Sequence, residues 1–333
     1  MDSAPARRDA VCPAARKRPA FGCSVTTILF SHSAGLAHRT GEGHPERPAR
    51  LEAIERALAE DRFAALARED APIVERGALL RVHPEAFVAA IEKAAPQQGY
   101  RRLDPDTTMS PGTLEAAMRA AGGATSAVDG VFAGRGANAF VAARPPGHHA
   151  EIATPMGFCF FNNAAIAARH AQAVYGAERV AIVDFDVHHG NGTQHIFWSD
   201  SSVMYCSTHE MPLFPGTGAL GERGEHGQIV NAPLCAGDGG ETFREAFDVA
   251  IVPRLEDFAP DLIIISAGFD AHRLDPLGHL NLVEADFAWA TRRLMEVAER
   301  HCHGRVVSLL EGGYDLEGLS RSVAAHVSTL MGA

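Results

Sequence analysis

The stretch Arg179-Val180-Ala181-Ile182-Val183-Asp184-Phe185-Asp186-Val187-His188-His189-Gly190-Asn191-Gly192 changes character at its middle. Arg179–Phe185 is a continuous apolar, β-branched run, as a strand buried on both faces requires. The residues that follow are polar. Asp184, Asp186 and His188 occupy alternate positions, and an extended backbone sends all three to the same side. A buried strand ending in carboxylates and imidazoles points to an α/β protein with a site at its strand ends.

Working outward, Thr26–Phe30, Ala139–Ala143, Val203–Cys206, Asp261–Ser266 and Arg305–Leu310 read as further strands. Helical patterns fall between them. Ala49–Glu60 places Leu51, Ile54 and Leu58 on one face, and Gly112–Phe132 is a helix of small residues. Asn162–Tyr175 has Asn at its start and Gly176 just past its end. Glu241–Phe258 repeats Phe243, Phe247, Ile251, Leu255 and Phe258 on one face, and Glu284–Arg300 and Leu316–Leu330 follow as helices. This alternation predicts an α/β fold with a mainly parallel sheet covered on both faces. Residues 1–22 read as a disordered tail: they carry Arg7, Arg8, Arg16, Lys17 and Arg18 but lack the apolar run of a secretory signal. With no repeat or linker beyond them, residues 23–333 read as a single catalytic domain.

Four strand ends deliver polar groups to one rim. Arg144-Pro-Pro-Gly-His148-His149 follows one strand, and Asp184 to Asn191 ends the next. Ser266 to Asp270 ends a third, and Glu311-Gly-Gly-Tyr314 a fourth. Asp186, His188 and Asp270 supply two carboxylates and an imidazole, a three-ligand set that leaves one position open, as catalytic zinc requires. Iron(II), cobalt and manganese suit the same donors. Taken alone, Asp184 and Asp186 read equally well as turn or helix-capping residues. A neutral imidazole can take a proton from water and return it to a leaving amine, which suits His148 or His149. Asp184 is free to orient one of these rings, and Asn191 the other. An Asp partner raises its histidine's basicity, whereas an Asn only orients it. The blander reading of this pair is a histidine-rich surface loop. Tyr314 offers a phenol that can donate to the oxyanion formed when water attacks a carbonyl, and glycines 312 and 313 let backbone approach a substrate. On its own such a tyrosine is more often structural.

Composition narrows the classes. At 333 residues with 46% hydrophobic and 21% charged, the chain can bury a sizeable core. A net charge of -11 argues against non-specific nucleic-acid or membrane-surface binding and suits cationic partners such as basic peptide tails or polyamines. No segment reaches the ~18 apolar residues of a membrane span. Six cysteines without a C-x-x-C pair predict neither a disulfide framework nor a structural zinc cluster, and fit a reducing, cytoplasmic compartment. No G-x-S-x-G or H-E-x-x-H occurs. Gly216-Thr-Gly218-Ala-Leu-Gly221 matches G-x-G-x-x-G, but it follows Phe214-Pro215 rather than a strand and reads as a loop.

Together these motifs resemble the histone deacetylase superfamily, from about Thr26 to the C-terminus. Arg144–Glu151, Gly157–Asn163, Asp184–Phe197, Phe214–Gly218, Ser266–Asp270 and Glu311–Tyr314 fit in order. The wording is similar to class II members and their bacterial amidohydrolase relatives, which include acetylpolyamine amidohydrolases. Asn191 supports this, since class I members usually carry Asp there. The resemblance implies a three-layer α/β/α sandwich and a zinc-dependent deacetylase of acyl-lysine, or of a small acetylated amine. It implies Zn²⁺ on Asp186, His188 and Asp270, His149 as general base and acid, His148 with Asp184 in support, and Tyr314 polarising the carbonyl. Gly157, Phe158 and Phe214 would line a tunnel, with Gly312 beside the substrate. One K⁺ would sit on Asp184, Asp186, His188 and Ser207, and a second on Phe197, Asp200 and Val203. Arg47 would lie near an inner product-release cavity. Leu277, after Asp275-Pro276, stands where polyamine-selective relatives carry an acid, and Asp104 or Asp106 could bring charge to the rim. Arginase-like hydrolysis and a non-catalytic acetyl-lysine module are the rival readings. The oligomeric state is left open.

Overall fold

The structure is a computed structural model that describes residues 26–333. The tail assigned to residues 1–22 lies outside the described residues. The strands, in chain order, are β1 (Thr27–Ser31), β2 (Ala67–Asp70), β3 (Arg101–Arg102), β4 (Thr108–Met109) and β5 (Asn138–Ala142). They continue with β6 (Val180–Asp184), β7 (Val203–Glu210), β8 (Ile229–Leu234), β9 (Leu262–Ala267) and β10 (Val306–Leu310). Eight of them form one sheet in the order β2-β1-β5-β10-β9-β6-β7-β8, and every pairing in it is parallel. β3 and β4 make a separate antiparallel hairpin whose loop carries Asp104 and Asp106.

The strands separate two apolar layers because successive side chains leave opposite faces. Ala181, Val183, Ile263, Ile265 and Val306 join one core with residues of the helices Ala49–Leu58, Glu284–His301 and Leu316–Leu330. Val180, Ile182, Leu262, Ile264 and Val307 join the other, against the small-residue faces of Thr113–Phe132 and Asn163–Tyr175. Helices therefore cover both faces, giving the three-layer sandwich. The Asn162 side chain caps Asn163–Tyr175 by accepting from Ala165 N, and Gly176 ends it in the left-handed conformation at φ 68°.

The structure departs from the sequence reading in three places. β7 runs on through Ser207, Thr208, His209 and Glu210, polar residues that are nevertheless buried. The helix expected over Glu241–Phe258 is broken into Gly240–Ala246 and Val252–Phe258 by a π-helical turn at Phe247–Ile251. Pro253, which has no N–H to give, sits just past that turn. The edge strands β2 and β8 carry no strong strand signal: Ala-Arg-Glu-Asp is not apolar, and β8 contains Pro233.

Candidate active site

The four central strands β5, β10, β9 and β6 lie side by side, and their carboxyl ends bring the motifs to one place. Asp184 closes β6 and Glu311 follows β10, while Arg144 and Asp270 lie just beyond β5 and β9. Past Asp184 the chain turns, and the side chains themselves stabilise the turns: Asp184 Oδ1 accepts from Asp186 N at 3.1 Å, and Asp186 Oδ1 from His188 N at 2.9 Å. Both aspartates therefore act as turn residues, and Asp186 also belongs to the cluster described below.

The two imidazoles of the tandem pair have different partners. His148 Nδ1 lies 3.0 Å from Asp184 Oδ2, and His149 Nδ1 lies 2.9 Å from Asn191 Oδ1. Their ring centroids are 3.9 Å apart. Burial lowers His148, but the charges of Asp184, Asp186 and Glu311 outweigh it and raise the ring to about 10. Burial also lowers His149, and the charges of His148 and His188 push the same way, so it falls well below 6.5. One ring is thereby held charged and its neighbour neutral at pH near 7.

Asp186, His188 and Asp270, all buried, form a cluster whose ligand atoms lie within 4.8 Å of one another. His188 Nδ1 is 3.1 Å from both Asp186 Oδ1 and Asp270 Oδ2. Gly312 N donates to the outer Asp186 Oδ2 at 2.8 Å, and Val187 N to Asp270 Oδ1 at 2.8 Å. Backbone amides thus hold both oxygens of Asp186 and one of Asp270, and one oxygen of each carboxylate faces the imidazole. A Cβ on residue 312 would overlap Asp270 Oδ2 and crowd Asp186 Oδ2 to 2.6 Å, so only glycine lets the backbone come this close. Burial and the charge of Asp186 push Asp270 up to about 7, while burial of His188 is outweighed by its two carboxylate partners, which raise it to about 10. Such a pocket favours a positive charge. Its hard-oxygen and imidazole donors fit a divalent transition metal with an open coordination position.

Above the cluster opens a cavity of ≈ 280 Å³ lined by Asp106, His149, Gly157, Phe158, His188, Leu213, Phe214, Leu277 and Tyr314. Gly157 and Phe158 both adopt left-handed backbone, at φ 55° and 67°. A Cβ on residue 157 would lie 2.7 Å from His149 Cγ, so a side chain there would displace that ring. The Phe158 ring meets Tyr314 edge to face at 5.9 Å, and the exposed Phe214 meets His149 at 5.1 Å. The Tyr314 phenol is pushed well above 10, first by burial and then by the charge of Asp270, and so remains a donor. Asp275 Oδ2 fixes its backbone by accepting from Tyr314 N at 2.6 Å, and Asp275 Oδ1 accepts from Leu277 N at 3.0 Å.

Other expected residues fall elsewhere. Ser207 pairs with Asp184 across β6 and β7, and its Oγ lies 2.9 Å from His209 Nδ1. Phe197 and Asp200 lie in the turn before β7 and Val203 opens that strand; the Phe197 carbonyl accepts from Asp200 N at 3.1 Å and Gln228 Nε2 at 2.7 Å. Arg47 is exposed rather than set in an inner cavity. The inward arginine is Arg50, one helical turn on: its guanidinium lies 4.9 Å from the Tyr314 ring centroid and donates to the carbonyl of Glu311 at 2.6 Å. Sequence reasoning gave no role to Glu46, whose carboxylate pairs with Arg144, Arg50 and His38 in the buried layer behind the site. Nor did it give one to Glu311, which holds the histidine turn by accepting from Gly147 N at 2.6 Å and His148 N at 3.1 Å. The available signal was the i, i+4 spacing of Glu46 and Arg50.

Comparisons with known proteins identify the family. The histone deacetylase domain matches residues 44–330. The chain is 43% identical over 311 residues to the uncharacterized protein slr0245 of Synechocystis, covering 92% of this chain and all of that protein (100%). It is 40% identical over 277 residues to the histone deacetylase-like amidohydrolase of Pseudomonas aeruginosa, covering 82% of this chain and 73% of the relative. Arabidopsis thaliana histone deacetylase 14, chloroplastic, is 39% identical over 92% of this chain and 77% of its own. The crystal structure of the HDA15 HD domain superposes with a TM-score of 0.88 at 39% identity, covering 93% of this chain and 89% of that one. With the family's domain spanning most of its length and relatives named deacetylase and amidohydrolase, the chain belongs to the histone deacetylase family of hydrolases.

Proposed function

We propose that this protein removes acetyl or a similar acyl group from lysine side chains in proteins or peptides, using Zn²⁺ on Asp186, His188 and Asp270. The cavity carries this reading: a narrow space walled by Phe158 and Phe214 has His149, His188 and Tyr314 at its inner end. An aliphatic lysine chain suits aromatic walls, and its amide would meet a base, a metal site and a phenolic donor together. The zinc ion would supply Lewis-acid polarisation and make water acidic at neutral pH. His149, kept neutral, takes the proton of the attacking water and then passes it to the leaving amine. Asn191 holds the ring for both transfers. His148, kept charged by Asp184, keeps positive potential beside His149 and disfavours premature protonation there. Tyr314 donates its O–H to the developing oxyanion. Potassium on Asp184, Asp186, His188 and Ser207, and a second ion on the Phe197, Asp200 and Val203 carbonyls, would be structural. The unpaired cysteines favour a cytoplasmic setting: Cys159, Cys206 and Cys302 are buried and Cys235 is exposed, with no disulfide among the described residues. Among these residues no helix is long and apolar enough to cross a membrane.

Leu277 on the cavity lining favours peptide over polyamine, since an ammonium beside it would lose hydration without gaining a partner. The test compares kcat/KM for an acetyl-lysine peptide and an acetylspermidine-type substrate in wild type and Leu277→Glu. The peptide should lead in wild type, and the variant should shift toward the polyamine. A wild-type preference for the polyamine overturns the substrate assignment and leaves Asp106 on the same rim as the residue to change next.

A further inference from the structure

We propose that the Tyr205 hydroxyl is a positioning residue that locks the partners of both catalytic histidines into one unit. Tyr205 lies on β7, completely buried, two residues before Ser207. Its hydroxyl donates to Asp184 Oδ2 at 3.1 Å, the same oxygen that holds His148 Nδ1 at 3.0 Å. The same hydroxyl accepts from Gly190 N at 2.9 Å. Gly190 immediately precedes Asn191, whose Oδ1 holds His149. One oxygen atom therefore joins the carboxylate behind His148 to the backbone that carries the amide behind His149. Burial, then the nearby charge of Asp184, pushes this phenol well above 10, so it keeps the proton it donates. The fit is close on every side. A Cβ on residue 190 would lie 2.5 Å from the Tyr205 hydroxyl and 3.1 Å from His148 Nδ1, and would overlap Asp184 Oδ2. Tyr205 does not line the cavity, and its hydroxyl bonds to Asp184 and Gly190, so its contribution runs through the two histidines.

This inference rests on the proposed roles of His148 and His149. Tyr205→Phe deletes a single buried oxygen and keeps the ring. On the metal-loaded enzyme with an acetyl-lysine peptide, kcat should fall about 10–100-fold, the range for removing a partner one step behind a functional group. KM and bound zinc should stay within about twofold of wild type. Because both histidines are released by the same change, the losses from Tyr205→Phe and Asn191→Ala should combine to clearly less than their product. Should Tyr205→Phe fail to fold, Gly190→Ala, with an ordinary negative φ at residue 190, crowds the Tyr205 hydroxyl and Asp184 Oδ2 together, so it strains the same unit and must lower kcat while KM and bound zinc hold. Wild-type kcat in either folded variant, a fall that tracks lost zinc, or losses that multiply in the double variant overturns the proposal. An inactive wild type on every acylated amine tested would instead count against the proposed function, which separates the two failures.

Discussion

Tyr314→Phe gives the sharpest reading of the site because the structure predicts that it changes little besides chemistry. Among the described residues the Tyr314 hydroxyl has no hydrogen-bond partner, so its removal orphans no buried donor or acceptor. The ring's contacts survive in Phe: the edge-to-face packing on Phe158 at 5.9 Å and the Arg50 guanidinium 4.9 Å from its centroid. The backbone stays tied to Asp275 at 2.6 Å. Stability should therefore move by no more than about 0.5 kcal/mol. The metal cluster is held from other directions, by Gly312 N and Val187 N, so zinc content should be unchanged. What is lost is one donor to the oxyanion, worth ~10²–10³ in kcat, or about 2.7–4 kcal/mol. The assay is kcat on a peptide bearing an unactivated acetyl-lysine, with elemental analysis and a thermal melt on the same preparation. An activated acyl group must be avoided, since its oxyanion needs less help. If kcat stays within about threefold of wild type while zinc is retained, Tyr314 is not the electrophile and the oxyanion is stabilised by another group.

Asp270→Ala should abolish both metal binding and turnover, read by elemental analysis and kcat, and full activity in metal-stripped protein would refute the metal mechanism. Glu46→Gln should destabilise the fold by about 3–5 kcal/mol, read as a fall in the denaturant midpoint, because it leaves the buried Arg144 and Arg50 short of a countercharge. The effect has a pH signature. Burial pushes Glu46 up, but the charge of Arg144 and the hydrogen bond and charge of His38 outweigh it and hold the carboxyl well below 4.5. A carboxylate depressed in the folded state stabilises at pH above its unfolded value, and that contribution is lost as pH falls through the folded value. The gap between wild type and Glu46→Gln should therefore shrink on acidification below 4.5, and a gap that persists unchanged at the lowest pH where both proteins fold contradicts the assignment.

The strands and helices that carry the site were legible because each makes its own pattern. β6, β9 and β10 are apolar except for Asp184, Ser266 and Ser308, and Glu284–His301 and Leu316–Leu330 are amphipathic, so local sequence and tertiary burial agree. β2 was not legible because no side chain of this edge strand is fully buried: Ala67 and Glu69 are half-buried, and Arg68 and Asp70 are exposed. The far half of β7 was missed for the opposite reason. Ser207, Thr208, His209 and Glu210 look like loop residues but are buried and bonded, as His209 Nδ1 to Ser207 Oγ at 2.9 Å and Glu210 Oε1 to His279 Nδ1 at 2.8 Å illustrate. Residues at motif positions could be proposed from their chemistry. Glu46, Arg50, Asp275 and Tyr205 could not, because their importance lies in partners more than 20 residues distant: Glu46 with Arg144, Arg50 with Glu311, Asp275 with Tyr314, Tyr205 with Asp184.

The tandem histidines show how small a difference in partner divides the labour at this site. Both rings are buried, which by itself disfavours the charged form of each. Their sequence neighbours do not distinguish them. The asymmetry arises one layer out, where His148 meets a carboxylate on β6 and His149 meets a carboxamide on the following helix. That carboxylate, with the charges of Asp186 and Glu311, returns more than burial takes away, so His148 keeps its proton. A carboxamide accepts a hydrogen bond without adding charge, so His149 stays neutral and is then pushed further down by the proton on His148 at a ring separation of 3.9 Å. The proposed base is thus kept neutral first by burial and then by its neighbour's charge. Exchanging the two partners in kind, Asp184→Asn with Asn191→Asp, should narrow the difference in basicity by raising His149, while Asp186 and Glu311 still face His148. If His149 is the base for the reason given, the acid limb of kcat/KM must move to higher pH in that double variant while zinc is retained, and an unmoved limb contradicts the reason.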